Sequence, residues 1–420
     1  MRGEKMQYGL IGEHLGHSYS PEIHAQIADY EYELKEIPKE ELDSFMRAKD
    51  FKAINVTIPY KQDVIPYLDE ISDQAAAIGA VNTIVNKDGH LWGGNTDFAG
   101  MSALIRKLGL DLTGCKVLIL GTGGTSRTAM AVAKSLKAGE IFRVSRRGND
   151  GAITYEDAYS DHADAQIIIN TTPAGMYPNA DGRSIDISRF PELKGVVDAV
   201  YNPIRTNLVL DAQERGIPAE GGLYMLSAQA VYACGAFLSR EMDDAVIDRA
   251  YKNVLNAKRN IILTGMPSCG KTTIGKNLAK CLGRELTDTD RMVISKINMP
   301  IADYFAAKGE NAFRDRESEA IKSIALRDGM LVATGGGAVL RKENVRDLKR
   351  NGVVIFLDRP LDKLISTDDR PLSSSREALE KRFNERYDIY KSCADITIDA
   401  SGSIKQVTEK VLEALGLKDR

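Results

Sequence analysis

The chain has 420 residues, which is enough for about three domains of ordinary size or two large ones and too long for one small module. Hydrophobic residues make up 43% of it and charged residues 27%, a balance that excludes disordered, collagen-like and mucin-like chains. A formal net charge of -3 and a pI near 6.1 exclude the strongly basic surface that non-specific nucleic-acid binding requires.

The cysteines and the N-terminus indicate a reducing compartment. The five cysteines are scattered and form no C-x-x-C pair of the kind that binds metal or carries redox chemistry. The N-terminal residues contain no apolar signal core, and no run approaches the 18 apolar residues of a membrane span. We therefore expect a soluble, cytoplasmic protein that contacts neither membrane nor nucleic acid.

The pattern of apolar runs in residues 1–100 predicts a separate α/β lobe. Helices predicted in residues 222–256 are expected to pack on this lobe and complete it. Four motifs in it share short hydroxyls and amides near strand ends: HSYSP (17–21), NVTIPYK (55–61), GAVNT (79–83) and GGNTDFAG (93–100). Such groups suit a polyhydroxylated ligand, and Lys61 with Asp97 can form a proton-transfer pair. Taken singly, each motif is equally typical of a turn, a helix start or a surface charge.

Residues 101–221 predict a Rossmann-like lobe. A buried strand leads into G-x-G-G at Gly121, in which Ser126 replaces the third glycine of the dinucleotide pattern. The next strand ends in Ser-Arg-Arg, and guanidinium groups favour the 2′-phosphate of NADP over the free ribose of NAD. The pattern is also typical of a simple tight turn. The residues predicted to hold the dinucleotide are Gly121, Thr122, Gly123, Gly124, Thr125, Ser145, Arg146, Arg147 and Gly222.

Residues 258–420 predict a third region of alternating strands and helices. It begins with a complete phosphate-binding pattern, Gly265-x-x-x-x-Gly270-Lys271-Thr272, between a strand and a helix. Lys271 is predicted to reach the β- and γ-phosphates of ATP, and Thr272 to ligate Mg²⁺. Ser268 stands where related loops usually carry glycine. The predicted phosphate loop comprises Gly265, Ser268, Cys269, Gly270, Lys271, Thr272 and Thr273.

Five later motifs supply groups for an acidic phosphoryl acceptor. They are LTDTD (286–290), FRDRE (313–317), TGGG (334–337), DRPL (369–372) and ERYDIY (385–390). Carboxylates beside a transferring phosphoryl group bind Mg²⁺ or accept the proton of the attacking hydroxyl, and arginines bind an acid or neutralise the transition state. Each motif alone is also typical of a helix cap, a loop or a solvated helix face.

Residues 1 to about 256 resemble the shikimate dehydrogenase family over that family's whole length, because its motifs occur here in order, including NTTPAGM (170–176). The resemblance implies NADPH-dependent reduction of 3-dehydroshikimate to shikimate, with Lys61 and Asp97 as the catalytic pair. It implies that the substrate is bound by Ser18, Ser20, Thr57, Asn82, Tyr201 and Gln229.

Residues 258 to about 417 resemble shikimate kinase. The resemblance implies that Lys271, Asp290 and Arg370 are catalytic. Asp290 would be the base, and Arg370 would belong to a lid that folds over the phosphates. Asp288 would help to bind Mg²⁺. The segment around Arg370 is short and lacks an upstream arginine that many members carry. The residues implied to bind shikimate are Arg314, Gly335, Gly336, Gly337 and Arg386.

Both regions point to the same compound, one making it and the other consuming it. We therefore predict a fused enzyme: a two-lobed dehydrogenase followed by a parallel α/β domain like the P-loop nucleoside monophosphate kinases. It would use NADP(H), ATP and Mg²⁺, take small-molecule substrates and be a monomer or homodimer. A non-catalytic metabolite sensor predicts eroded catalytic positions, whereas Lys61, Asp97, Lys271 and Asp290 are all present. Activity on quinate stays open.

Overall fold

The computed structural model describes residues 6–16, 18–364 and 376–418. The chain divides into two compact units, Met1–Leu255 and Asn256–Arg420. Within the described ranges, no helix combines the length and the apolar character needed to cross a bilayer.

The first sheet of unit 1 is mixed and has the strand order β2-β1-β3-β5-β6-β4. Its central strands β1 and β3 pair in parallel and are almost wholly buried, whereas β2 lies at the edge with only Tyr32 buried. The carboxyl ends of β1 and β3 therefore open at one edge of the sheet. The strands are β1 (Tyr8–Gly12), β2 (Tyr32–Glu36), β3 (Ala53–Val56), β4 (Glu70–Ile71), β5 (Thr83–Lys87) and β6 (His90–Gly94).

The second sheet of unit 1 is parallel throughout, with the order β11-β10-β9-β7-β8. The inner strands β7, β9 and β10 are apolar and buried, as expected of a sheet covered on both faces by helices. Loops that follow parallel strands gather at one edge and form the usual place for a nucleotide. The strands are β7 (Lys116–Leu120), β8 (Glu140–Val144), β9 (Ile167–Asn170), β10 (Gly195–Asp198) and β11 (Ala219–Glu220).

Two long helices of unit 1, α4 and α8, pack closely at Gly100. A Cβ atom there would lie 2.7 Å from the Met225 carbonyl oxygen and 3.1 Å from the Gln229 Cβ, so only glycine permits this approach. The contact brings the start of α4 and the middle of α8 together. The helices are α1 (Ser20–Ile27), α2 (Leu42–Ala48), α3 (Asp73–Ile78), α4 (Thr96–Lys107), α5 (Gly124–Ser135), α6 (Tyr155–Ser160), α7 (Asn207–Glu214), α8 (Leu223–Leu238) and α9 (Asp244–Lys258).

Unit 2 is built on a parallel sheet with the order β13-β14-β12-β15-β16. Its strands are β12 (Asn260–Thr264), β13 (Leu286–Asp288), β14 (Leu331–Ala333), β15 (Gly352–Asp358) and β16 (Ile396–Asp399). Its helices are α10 (Lys271–Leu282), α11 (Thr289–Ile297), α12 (Ile301–Ala325), α13 (Lys342–Asn351), α14 (Arg376–Cys393) and α15 (Ile404–Ala414). The central strand β12 is buried along its whole length and leads directly into the phosphate loop.

The α/β class and the parallel sheets that the sequence predicts are confirmed. The predicted strands at 141–145, 166–170 and 195–200 correspond to β8, β9 and β10 within a few residues. The division between residues 100 and 101 falls inside α4, so the boundary between the two lobes of unit 1 stays a prediction.

Candidate active sites

A cleft of about 180 Å³ opens in unit 1 where β1, β3, α4 and α8 meet. It brings together all the residues predicted to bind or transform the substrate, from motifs more than 200 positions apart: Ser18, Ser20, Thr57, Lys61, Asn82, Asp97, Tyr201 and Gln229. Thr125 and Gly222, which were predicted to hold the dinucleotide, line this cleft as well. Apart from the lysine and the aspartate, the wall is uncharged and combines hydroxyls and amides with apolar side chains such as Leu10, Met225 and Leu226.

The charged part of the cleft is one ion pair. Lys61 follows β3, and its Nζ lies 2.6 Å from Oδ2 of Asp97 at the start of α4. The two side chains are 18% and 13% exposed, so water screens the pair only in part. The free amides in the first turn of α4 favour the carboxylate, and Asn95 caps this helix by accepting from the Phe98 amide. The geometry suits proton transfer to an oxygen beside Lys61.

Tyr201 completes one wall of the cleft. Its ring packs against that of Tyr19, with 5.4 Å between the centroids. Burial raises the pKa of the Tyr201 phenol, so the group remains a neutral donor at neutral pH. On another wall, the Ser18 hydroxyl accepts a hydrogen bond from the Ser20 amide at 3.2 Å, which holds the start of α1 against the cleft.

A second, larger groove of about 1150 Å³ follows the carboxyl edge of the parallel sheet. Gly121 has a φ of +108°, and a Cβ on it would lie 2.9 Å from the Thr171 hydroxyl. Gly123 and Gly124 have no atom within 4 Å of such a Cβ, which leaves room for a ligand at the start of α5. The predicted residues that line this groove are Gly121, Thr122, Ser145, Arg146 and Arg147.

The arginines and the open glycines fit a dinucleotide with a 2′-phosphate. Arg146 and Arg147 are exposed at the groove, and the Ser145 hydroxyl accepts from the Gly148 amide at 3.1 Å. A flexible cation at the groove rim can pair with phosphate without the cost of being buried alone. The opposite wall, residues 172–175, was noted in the sequence only as part of a motif.

Asp198 holds two loops of this groove together and was missed by the sequence analysis. Its carboxylate accepts from Asn170 Nδ2 at 2.9 Å, from the Val200 amide at 3.0 Å and from the Thr206 hydroxyl at 2.6 Å. Burial nevertheless raises its pKa to about 6. The signal was present, because Asp198 begins the DAVYNP segment (198–203), but its burial is visible only in the fold.

The phosphate loop of unit 2 has the conformation its sequence predicts. Gly265, Ser268 and Gly270 all have positive φ, at 143°, 66° and 105°. Ser268 therefore adopts, at some conformational cost, a backbone that glycine adopts freely. Lys271 Nζ donates to the carbonyls of Gly265 at 2.8 Å and Met266 at 3.0 Å. Cys269 is buried beneath the loop, and Thr272 and Thr273 lie in the first turn of α10.

The donor set beside this loop suits magnesium held mainly by a nucleotide. Asp288 caps α11 by accepting from the amides of Asp290 and Arg291, and its carboxylate is half-buried. The described residues contain no cluster of three or more side chains able to hold a metal alone. Mg²⁺ prefers one or two protein oxygens together with water and phosphate, so Thr272 and Asp288 would suffice.

The acceptor residues of unit 2 converge on the three glycines that follow β14. The Gly335 amide donates to the Thr289 hydroxyl at 2.7 Å, and the Gly336 carbonyl accepts from Arg386 Nη1 at 3.1 Å and from the Tyr390 hydroxyl. A Cβ on Gly335 would collide with Asp290, and one on Gly337 with the Arg314 guanidinium. Asp290, Arg314 and Arg386 therefore lie around this glycine loop. Thr289 and Tyr390 hold the loop by hydrogen bonds, a role that the sequence did not predict.

Arg314 is held by two acids. Its guanidinium lies 2.8 Å from Glu310 and 2.8 Å from Glu317. Glu317 is 1% exposed, and burial raises its pKa against the opposing effect of Arg314. The FRDRE motif contained Glu317, but only the fold shows that its carboxylate is buried beside Arg314. Arg370 lies outside the described residues.

Comparison with known proteins covers both units. The family model for the shikimate dehydrogenase substrate-binding domain matches residues 10–84, and the model for shikimate kinase matches residues 267–416. The chain is 34% identical over 265 residues to shikimate dehydrogenase (NADP(+)) of Clostridium perfringens strain SM101, covering 59% of this chain and 97% of that protein. The corresponding protein of Halothermothrix orenii is 39% identical over 256 residues, covering 54% and 88%.

Solved structures show the same likeness. A chorismate mutase/shikimate 5-dehydrogenase fusion protein from Clostridium acetobutylicum superposes with a TM-score of 0.56 and 34% identity, covering 60% of this chain and 97% of that one. Shikimate 5-dehydrogenase from Thermus thermophilus, in complex with NADP(H) and shikimate, superposes with a TM-score of 0.53 and 27% identity, covering 59% and 99%.

Proposed function

The chain belongs to the shikimate dehydrogenase family, and from that premise we propose how its two units act. It is a bifunctional enzyme of the shikimate pathway, with an NADP-dependent shikimate dehydrogenase followed by a shikimate kinase domain. Unit 1 reduces 3-dehydroshikimate to shikimate, and unit 2 transfers a phosphoryl group from ATP to the shikimate 3-hydroxyl. The Lys61–Asp97 ion pair, 2.6 Å long in a cleft of otherwise neutral groups, is the observation that carries the proposal.

In unit 1, NADPH supplies the hydride that reduces the ketone. The carbonyl oxygen gains negative charge as the carbon is reduced, and Lys61 gives it a proton. Asp97 accepts a hydrogen bond from Lys61 Nζ at 2.6 Å and so orients the ammonium group for the transfer. Ser18 and Ser20 bind the carboxylate region of the substrate, and its ring hydroxyls are held by Thr57, Asn82, Tyr201 and Gln229, which line the same cleft.

In unit 2, Lys271 and the amides of the phosphate loop bind the nucleotide phosphates, and Thr272 with Asp288 holds Mg²⁺. Asp290 accepts the proton of the 3-hydroxyl. Arg314 and Arg386, on two sides of the glycine loop, bind the carboxylate of shikimate. A Cβ on Gly336 would lie 3.4 Å from Pro267 of the phosphate loop, so donor and acceptor sites are adjacent. Outside the described ranges, Arg370 is proposed to neutralise the transferring phosphoryl group.

The wider setting follows from the same chemistry. We propose that the protein takes small-molecule substrates, binds no nucleic acid and works in the cytoplasm as a monomer or homodimer. All five cysteines are free thiols, which suits a reducing compartment.

A coupled assay tests both activities at once. Purified protein receives 3-dehydroshikimate, NADPH, Mg²⁺ and ATP, and NADPH loss and ADP release are recorded together. We expect ADP release to require prior NADPH oxidation, unless shikimate is added directly. NADPH oxidation without ADP release would refute the kinase assignment. The absence of both signals would refute the proposal that the protein is an enzyme of this pathway.

A further inference from the structure

A chain of buried and half-buried polar side chains reaches the wall of the unit 1 cleft at Asn55 and ends at Asn82. It consists of Tyr32, Asn55, Thr83 and Thr96, which we call the Asn82 network. Thr83 is fully buried, and Asn55 is 4% exposed. Buried polar groups remain only where their hydrogen bonds are satisfied, so the direction of each bond can be worked out.

The orientation of the Asn82 carboxamide follows from one bond. The Thr96 backbone amide lies 2.7 Å from Asn82 Oδ1, and a backbone amide can only donate, so the carboxamide oxygen must face it. The Thr83 hydroxyl donates to the same oxygen at 2.9 Å. The hydrogen bonds of the described residues thus engage the oxygen of Asn82 and leave its Nδ2 to the cleft.

Asn55 supports Asn82 and Thr83 from the neighbouring strand β3. Its Nδ2 donates to the backbone carbonyl of Asn82 at 3.1 Å and to Thr83 Oγ1 at 3.2 Å. Since Thr83 gives its one proton to Asn82 Oδ1, it must accept in its 3.1 Å contact with the Thr96 hydroxyl. Tyr32 fixes Asn55 in turn, because its phenol donates to Asn55 Oδ1 at 2.8 Å. Burial raises the pKa of Tyr32 well above its ordinary value, which keeps this donor protonated.

We propose that Tyr32, Asn55 and Thr83 are positioning residues that hold Asn82 as an obligate donor toward one ring oxygen of the substrate. The inference rests on the proposed dehydrogenase function and deepens it. Both a ketone and a hydroxyl oxygen accept, so Asn82 can hold the ring in either oxidation state. A ring with a methylene or an ammonium group at that position would leave Nδ2 without an acceptor and be bound weakly.

The test compares Thr83→Val with Thr83→Ser. Valine keeps the shape but removes the hydroxyl, so the carboxamide oxygen loses one of the hydrogen bonds that hold it beside the one from the Thr96 amide, whereas serine keeps the hydroxyl. We expect Thr83→Val to raise the KM for shikimate about three- to tenfold, the effect of one neutral hydrogen bond, with kcat within twofold of the parent. Thr83→Ser should keep the parent KM, and neither change should alter the KM for NADP.

A double-mutant cycle separates positioning from a merely structural role. If Thr83 acts through Asn82, Thr83→Val should change KM less than 1.5-fold when Asn82→Ala is already present. Multiplicative effects, or an unchanged KM in Thr83→Val, would overturn the inference. Should Thr83→Val fail to fold, Tyr32→Phe carries the same test, with an expected two- to fivefold rise in KM and with no change as the contrary result.

Failure of the proposed function has a different signature. An active parent with insensitive variants would overturn only the positioning role. If the parent shows no turnover, shikimate affinities of parent and variants measured by calorimetry replace KM, and a parent that neither reacts with nor binds shikimate overturns both proposals.

Discussion

The two units bind the same small acid with different kinds of side chain. The unit 1 cleft has one ion pair, Lys61 with Asp97, in a wall of uncharged hydroxyls, amides and apolar side chains. The glycine loop of unit 2 is surrounded by ionic groups, including Arg314, Glu317 and Arg386. Neutral side chains select a ligand by the positions of its hydroxyl groups, because each hydrogen bond has a preferred direction. Paired arginines bind a carboxylate strongly. The difference matches the tasks, because a phosphoryl transfer adds charge that a hydride transfer does not.

The first test removes the ion pair of unit 1. Lys61→Ala should lower dehydrogenase turnover about 10²- to 10⁴-fold, because the developing oxyanion loses its proton donor, while the dissociation constant for shikimate changes far less. Urea unfolding followed by the fluorescence of Trp92, the chain's one tryptophan, reports that unit 1 of the variant is folded. Lys87→Ala removes an exposed lysine of unit 1 and should leave both activities unchanged. Near-normal turnover in Lys61→Ala would reject the assignment.

The second test makes a change of similar size in unit 2. Asp290→Asn keeps the shape beside Gly335 but cannot accept the proton, so phosphorylation should fall about 10²- to 10⁴-fold while ATP binding persists. The exposed Asp303→Asn in the same unit is the matched control. Steady-state ADP release and equilibrium binding of an ATP analogue measure the two quantities. If phosphorylation stays unchanged, Asp290 is not the base. The comparison between the two sites then lacks a catalytic residue in unit 2.

The third test uses adjacent glycines of unit 2. A Cβ on Gly337 would collide with the Arg314 guanidinium, so Gly337→Ala must displace that side chain from Glu317. We expect the kinase KM for shikimate to rise about ten- to hundredfold, as for a moderately overpacked site. Gly336→Ala is the control, since its Cβ would meet only ordinary contacts from 3.4 Å outward. Equal KM values for the two variants would show that Arg314 does not bind the carboxylate.

The predicted substrate residues of unit 1 line one cleft, because their motifs mark the strand ends where loops converge. The sequence predicted the α/β class and the two fully parallel sheets, because short apolar runs between glycines are typical of buried strands. It missed the edge strand β2, whose residues are mostly charged and exposed. A strand of this kind is held by pairing with β1, which no local pattern reveals.

The supporting residues were missed for a related reason. Thr289, Glu317 and Asp198 bind no substrate in our proposal, but they hold the groups that do, or the loops around them. Their importance depends on burial and on partners that are distant in sequence. A single amino-acid sequence shows neither burial nor distant partners directly. These roles can therefore be assigned only from the folded structure.

The last test compares the two buried acids, Asp198 and Glu317. Burial raises the pKa of both, but an arginine faces Glu317, whereas only neutral donors face Asp198. Asp198 binds its proton more tightly in the folded state, with a pKa of about 6 against an ordinary 3.8. Its contribution to stability is therefore greatest below pH 4 and is lost as the pH rises through 6.

Asp198→Asn should remove this dependence without breaking the loops. The new oxygen can accept from Asn170 and Val200, and the Thr206 hydroxyl can turn to accept from the new amide. Between pH 7 and pH 4, the parent should therefore gain about 2 kcal/mol of unfolding free energy relative to the variant. The chain's one tryptophan, Trp92, lies in β6, so its fluorescence during urea unfolding reports on unit 1 alone. Parallel pH profiles for parent and variant would mean that Asp198 is ionised at no cost, because its three hydrogen-bond donors fully compensate its burial.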